Sequence, residues 1–340
     1  MNGVVSIQAT TRGFRVGLLQ AFGGMLLLAG SLLLIFGWPG GGPELKYRKL
    51  AEIQAGEAGF PDLAGRYPAD RLTRYEIGRD GEGSLILNIV DFRGDQGGLE
   101  RAIVFPPAEG AAAEGRQAQG DVQLRHDLWK AAADAILAHT GEDALFVAWW
   151  DNAQRIRFMT GRKIWLHSPV AGAFPNGAQR RFWEEVSGGF GQDEKSIRQW
   201  ARWLTMDAEE ALAEMSTVLP KDKPVYFLMC LDDLARLAEI ESLSGVRLPF
   251  EVRLFPAGDV HAQIAGVKRW ASEKGDGAYL VQQLPDGGVR AWRITTGEGA
   301  KTLLARLLPF ATSLAKPLEN QVLVFQSGWG GYLSIYQWKP

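Results

Sequence analysis

Residues Ala148–Arg162 read AWWDNAQRIRFMTGR, and the reading of this stretch decides the fold. An apolar run, Ala144–Trp150, ends on two adjacent tryptophans. Asp151 follows at once, and a short helical pattern then closes at Gly161. The order is strand, tight turn, helix. Asp151 suits an N-cap, because its carboxylate can accept the free N–H groups of a first helical turn. Gln154 stands three residues on, where a capping-box partner belongs. Ala153, Ile156 and Met159 recur at helical spacing, and Gly161 can take the left-handed conformation that ends a helix. The turn lies at the carboxyl end of a strand, where open α/β sheets place ligands. Trp149, Trp150, Asp151, Asn152, Arg155 and Arg157 are therefore candidate binding residues. A cap and two buried indoles would need no ligand, although each tryptophan wants an acceptor for its N–H.

Downstream, Lys163–His167, KIWLH, reads as a second strand, so the stretch is the centre of a βαβ unit. His167 at its end is a candidate proton carrier or ligand, or a plain surface residue. Val225–Cys230 reads as a third buried strand and runs into Leu231-Asp232-Asp233. Asp232 and Asp233 repeat the placement of Asp151, carboxylates at a strand's end before a helix. Two readings stay open. The aspartates are independent N-caps, or neighbouring strands bring Asp151 and Asp232 together to hold a divalent cation or a cationic ligand.

The rest of the chain fits around this unit. Asp127–His139, Asp193–Leu204, Val260–Ser272 and Lys301–Leu308 read as helices, and Asp207 as the cap of another that carries Ala208, Ala211, Leu212 and Met215 inward. Ala171–Gly191, rich in Gly and aromatics, reads as a loop around a short helix. Phe250–Phe255 is a fourth strand. Ala278–Gln282 with Val289–Ile294, and Gln321–Gln326 with Gly331–Gln337, read as hairpins. Earlier, Ser84–Val90 and Leu99–Val104 read as strands, Glu44–Gln54 as a short helix and Ala108–Gly120 as a mobile loop. The expected fold class is α/β: an N-terminal transmembrane helix, a small β portion, then a mixed sheet with βαβ units and C-terminal hairpins.

Val16–Trp38 runs without a charge. As a helix it would be roughly 34 Å long, enough to cross a bilayer core. It is longer than the apolar region of a cleaved signal, and Trp38 suits the membrane interface. Arg12 and Arg15 precede it, so residues 1–15 are expected in the cytoplasm and the soluble domain in the periplasm, on a single-pass inner-membrane protein. Pro39–Pro43, PGGGP, is a linker. The expected division is tail 1–15, anchor 16–38, linker and small β portion 39–124, and α/β domain 125–340.

With 340 residues, 46% of them hydrophobic, the chain can bury one large core or two modest ones. Beyond the anchor 35 basic residues face 39 acidic ones, a mildly acidic balance that argues against nucleic acid. There is no C-x-x-C-H, so covalent c-type haem is excluded. Cys230 is the single cysteine, and His126, His139, His167 and His261 are scattered. No cofactor and no metal is expected. A G-x-S-x-G elbow, a P-loop, a dinucleotide fingerprint and a metalloprotease motif are all absent.

Two resemblances add to this. Trp149-Trp150-Asp151, the following helix, Gly161-Arg162, and the stretches Trp203–Met215 and Pro224–Asp233 resemble the soluble domain of oligosaccharyltransferase catalytic subunits, whose signature is Trp-Trp-Asp-Tyr-Gly. Asn152 and Ala153 replace the Tyr and Gly, and the family's many membrane spans with their metal-binding acidic residues are missing. In overall layout, with one N-terminal span, this same stretch and a domain of this length, the chain resembles the hydroxylamine oxidation protein HaoB family. Those proteins are encoded beside the multihaem hydroxylamine oxidoreductase of ammonia- and methane-oxidising bacteria. That resemblance implies an accessory role, with the oxidoreductase or its maturation factors as partner and the membrane as anchorage. The alternative is an enzyme, or a peptide- or glycan-binding domain, that uses the strand-end carboxylates. A pocket or a filled edge at Asp151 tells them apart.

Overall fold

The computed structural model describes residues 45–78, 85–107, 116–174, 176–284, 287–328 and 332–339. The Val16–Trp38 run and the Pro39–Pro43 linker lie outside them. No helix among the described residues is long and apolar enough to cross a membrane.

In chain order the elements are β1 Lys46–Gln54, β2 Ala69–Gly78, β3 Leu85–Arg93, β4 Leu99–Val104, α1 Arg116–His139, β5 Leu145–Val147, α2 Trp150–Thr160, β6 Lys163–Ile164, α3 Gly177–Ser187, α4 Glu194–Thr205, α5 Ala208–Val218 and β7 Val225–Cys230. There follow a 3-10 turn Leu231–Arg236, α6 Leu237–Ser244, β8 Phe250–Phe255, α7 Val260–Ala271, β9 Tyr279–Gln283, β10 Val289–Ile294, three short helices α8 Gly297–Lys301, α9 Leu303–Leu307 and α10 Ala311–Ala315, then β11 Gln321–Gln326 and β12 Leu333–Trp338.

The strands form three sheets. β1–β4 make an antiparallel meander, β8, β10 and β9 a small antiparallel sheet, and the central sheet runs β11-β12-β7-β5-β6. In the central sheet β5 pairs in parallel with both β6 and β7, while β12 joins antiparallel. The mixed α/β class is thus observed, with the βαβ unit β5–α2–β6 where the sequence places it.

Physical pattern explains both the agreements and the corrections. β7, VYFLMC, is buried at all six positions. This is what a strand covered on both faces requires. Asp207 accepts from the Glu209 N–H at 2.9 Å and starts α5, whose Ala208, Ala211, Leu212 and Met215 are buried. The helix expected over Glu44–Gln54 is instead strand β1. Its partner β2 was not legible as a strand, and their pairing from Lys46–Gly78 to Gln54–Arg71 supplies the backbone bonds that a lone segment lacks. The mobile loop expected over Ala108–Gly120 is also corrected at its end: residues 116–120 already belong to α1. Arg116, Gln117, Ala118 and Gln119 are residue types with high helix propensity.

One hydrophobic core runs through the meander, the central sheet and the helices around it. A glycine fixes one close approach. A Cβ on Gly65 would lie 2.3 Å from the Phe158 ring, so only glycine lets the β1–β2 loop lie on α2. The adjacent Arg66 N–H then donates to the Phe158 carbonyl at 3.0 Å.

Candidate functional site

β5 and β7 are neighbours, so their carboxyl ends bring Trp149–Asn152 beside Leu231–Asp233. The sequence-level expectation for Asp151 needs correction here. The N-cap of α2 is Trp149, in extended conformation and without a side-chain cap bond, and Asp151 stands inside the first turn. The C-terminal signal held: Gly161 takes φ 72° and closes the helix. Gln154 is not a capping-box partner. Its Nε2 donates to the His167 carbonyl at 2.8 Å.

The two tryptophans share one acceptor. The indole N–H groups of Trp149 and Trp150 each donate to Oε2 of Glu239 at 3.1 Å. Glu239 is buried, and its Oε1 accepts from Arg236 Nη1 at 2.7 Å. The other arm of that guanidinium, Nη2, donates to Asp151 Oδ2 at 2.7 Å. The Arg236 side chain is 1% exposed and lies 4.9 Å from the Trp150 ring centre and 5.1 Å from that of Trp183. Burial works against its charge, yet Asp151 and Glu239 outweigh it and raise its pKa. The cation that Asp151 holds is therefore an internal arginine. Asp151 Oδ1, also buried, has no hydrogen-bond partner among the described residues.

A second chain of bonds leads from Asn152. Its Nδ2 donates to Asp233 Oδ1 at 2.9 Å, and its Oδ1 accepts from Arg155 Nη1 at 2.8 Å. Asp233 also accepts the Cys230 N–H at 2.8 Å, but it is not the N-cap that one of the two readings expected: the cap of the turn after β7 is Cys230, and Asp233 reaches back to it from the third position of the turn. Arg155 is buried, donates Nε to the Ile103 carbonyl at 2.8 Å, and sits 4.6 Å from the Phe105 ring centre and 4.2 Å from that of Trp129. Asp232, in contrast, pairs with Arg125 at 3.3 Å and accepts the phenol of Tyr332. Among the described residues no group of three or more His, Cys, Asp or Glu side chains could hold a metal ion.

The structure thus brings Trp149, Trp150, Asp151, Asn152, Arg155, Asp232 and Asp233 into one region, mostly interior. Arg157 and His167 stand apart. Arg157 pairs with Asp95 at 3.0 Å and Glu100 at 3.3 Å on the meander. His167 is exposed past the end of β6. Arg236 and Glu239 were missed. Their signal was available: two adjacent indoles demand a buried acceptor, and an Arg–Glu pair three residues apart follows the second strand end.

Asp233 sets a pH dependence. Burial pushes its pKa up to about 8, against the pull of the Cys230 N–H. An unfolded aspartic acid titrates near ~3.9. Between these values the folded chain holds a proton that the unfolded chain releases. Stability should therefore fall as pH rises from about 4 to about 8 and level off above, by up to ~1.4 kcal/mol per pH unit. Glu239 and Glu241, both raised by burial, act in the same direction. Urea unfolding across this range measures the slope. Asp233→Asn, which cannot titrate, should make it shallower, leaving the part due to Glu239 and Glu241, and an unchanged slope would remove Asp233 as a contributor.

Fold and site define a mixed α/β domain whose sheet end is closed by its own ion-pair network. The chain belongs to the family of the HaoA-associated protein HaoB, whose family model matches residues 15–338. No curated protein matches it. Among solved structures it is similar to the C-terminal domain of C. jejuni PglB, at 12% identity and a TM-score of 0.35, covering 62% of this chain and 99% of that domain.

Proposed function

We propose that this chain is an accessory protein of hydroxylamine oxidation that associates with HaoA, the hydroxylamine oxidoreductase. It is anchored in the inner membrane by residues 16–38, with its folded domain in the periplasm, and it holds the multihaem enzyme there or helps to assemble it. The observation that carries this reading is the family match over residues 15–338, to proteins described as HaoA-associated. The uncharged Val16–Trp38 run supports the anchor. A binding role is also favoured by the ion pairing at the sheet end, where each strand-end aspartate already faces an internal arginine or amide.

The test is extraction and capture from membranes of cells making both proteins. Alkaline washing should leave the chain in the membrane. Release of a chain starting near residue 40 would mean that the segment is cleaved. After cross-linking and detergent extraction, the tagged chain should bring down the haem enzyme. If it captures neither that enzyme nor its maturation factors, the association is wrong.

A further inference from the structure

Beside α2, on the side where Gln154 and His167 lie, is a cleft of about 280 Å³. Leu99 and Glu100 of β4 line one part, Ile164 and His167 the end of β6, and Ser187 and Phe190 the end of α3 and the loop beyond it. Its walls are mixed in chemistry. Leu99 is 57% exposed, and Phe190 is half-buried. The loop carrying Phe190 is pinned by the Gly191 N–H, which donates to the Pro169 carbonyl at 2.8 Å. A Cβ at Gly191 would lie 2.4 Å from Ser168 Oγ, so glycine there leaves that hydroxyl free to turn.

The charges on the cleft are already matched. Glu100 pairs with Arg157 at 3.3 Å, and Arg101 pairs with Asp91 at 2.8 Å and donates to the Glu185 carbonyl at 2.7 Å. What is left unmatched is neutral. Gln154 is 7% exposed, and its Nε2 is committed to the His167 carbonyl. That bond fixes the amide so that Oε1 is left over as an acceptor, with no donor to it among the described residues. Ser168 Oγ likewise has no hydrogen-bond partner among them. The exposed His167 ring can give or take one bond. An acidic or basic ligand, or a lipid headgroup, would find no spare counter-charge here. A polypeptide strand brings what fits: backbone N–H and C=O groups for Gln154, Ser168 and His167, and an apolar side chain for Leu99 and Phe190.

We infer that this cleft is a docking site for a neutral, extended polypeptide segment of the partner, with Gln154 Oε1, Ser168 and His167 reading its backbone. The inference rests on the association with hydroxylamine oxidoreductase proposed above and names its surface.

The experiment uses the full-length, tagged chain in membranes that also hold the oxidoreductase. Benzoylphenylalanine replaces Phe190 at the cleft or, as a control, Lys221 at the opposite end of β7. Irradiation should join the haem enzyme to the chain from position 190 and not from 221. Leu99→Arg, at an exposed site, and Ser168→Trp should each lower the captured haem about tenfold with thermal stability unchanged. If Ser168→Trp does not fold, Leu99→Arg alone decides. If the wild type captures the enzyme but position 190 does not cross-link and the variants bind normally, the cleft is not the docking site while the association stands. A cross-link from 190 to a second copy of this chain also overturns the inference. If the wild type captures no enzyme at all, the association itself fails and the cleft's assignment goes with it.

Discussion

Arg236→Ala should destabilise the protein by ~3–5 kcal/mol, the typical cost of removing one partner from a buried ion pair. The guanidinium is the only bond made to Asp151 Oδ2 and Glu239 Oε1 among the described residues, and both carboxylates are buried with it. Its loss leaves two negative charges facing one another in the interior. Arg236→Lys should recover little, since one ammonium lacks the planar fork that reaches both carboxylates while lying over two indoles. Urea unfolding followed by tryptophan fluorescence gives the number. A loss under ~1 kcal/mol, the range of exposed pairs, would show that the network is not what holds the two strand ends together.

The second large effect is at Trp150. Its side chain is 1% exposed, meets Trp183 edge-on at 5.4 Å between ring centres, and donates to Glu239. Trp150→Ala should cost ~3–5 kcal/mol through the cavity it leaves. Trp150→Phe keeps an aromatic face under Arg236 but removes the indole donor. It should cost ~1.5–3 kcal/mol, the range for a hydrogen bond to a charged group. Equal losses in the two variants would mean that the N–H bond, not the packing, dominates. No loss in either would contradict the interior role of this pair.

These effects bear on what the sequence could tell. Periodicity placed α2, β7 and α5, because each buries side chains in a pattern that a single segment displays, and turn residues between apolar runs marked both C-terminal hairpins. It failed at β1 and β2. Lys46–Gln54 is exposed at most positions, and its strand state comes from the long-range register with β2, which no local pattern carries. At the sheet end, the sequence picked out two strand ends with aspartates, which the sheet does place side by side. It misjudged their chemistry, because the counter-charges sit elsewhere in the chain. Arg236 reaches Asp151 across 85 positions, and Arg125 reaches Asp232 across 107. An aspartate that caps a helix and one that answers a distant arginine look alike until the fold is known. Arg155 shows the same limit. Read as a helix-surface residue it would be a charge-reversal probe, but it is 3% exposed and stacks between Phe105 and Trp129. Arg157 and Leu99, nearer the surface, are the usable probes.

The central claim is the partnership with hydroxylamine oxidoreductase. It is tested most directly by sedimentation velocity of the purified, detergent-held full-length chain mixed with the purified enzyme, with haem absorbance as the only signal. The chain carries no C-x-x-C-H for covalent haem, and its own absorbance at the haem wavelength, recorded alone, is the blank. The account predicts that the haem boundary moves faster as the chain is added and saturates at a fixed ratio. A haem boundary that sediments at the same rate at every concentration of added chain would contradict it.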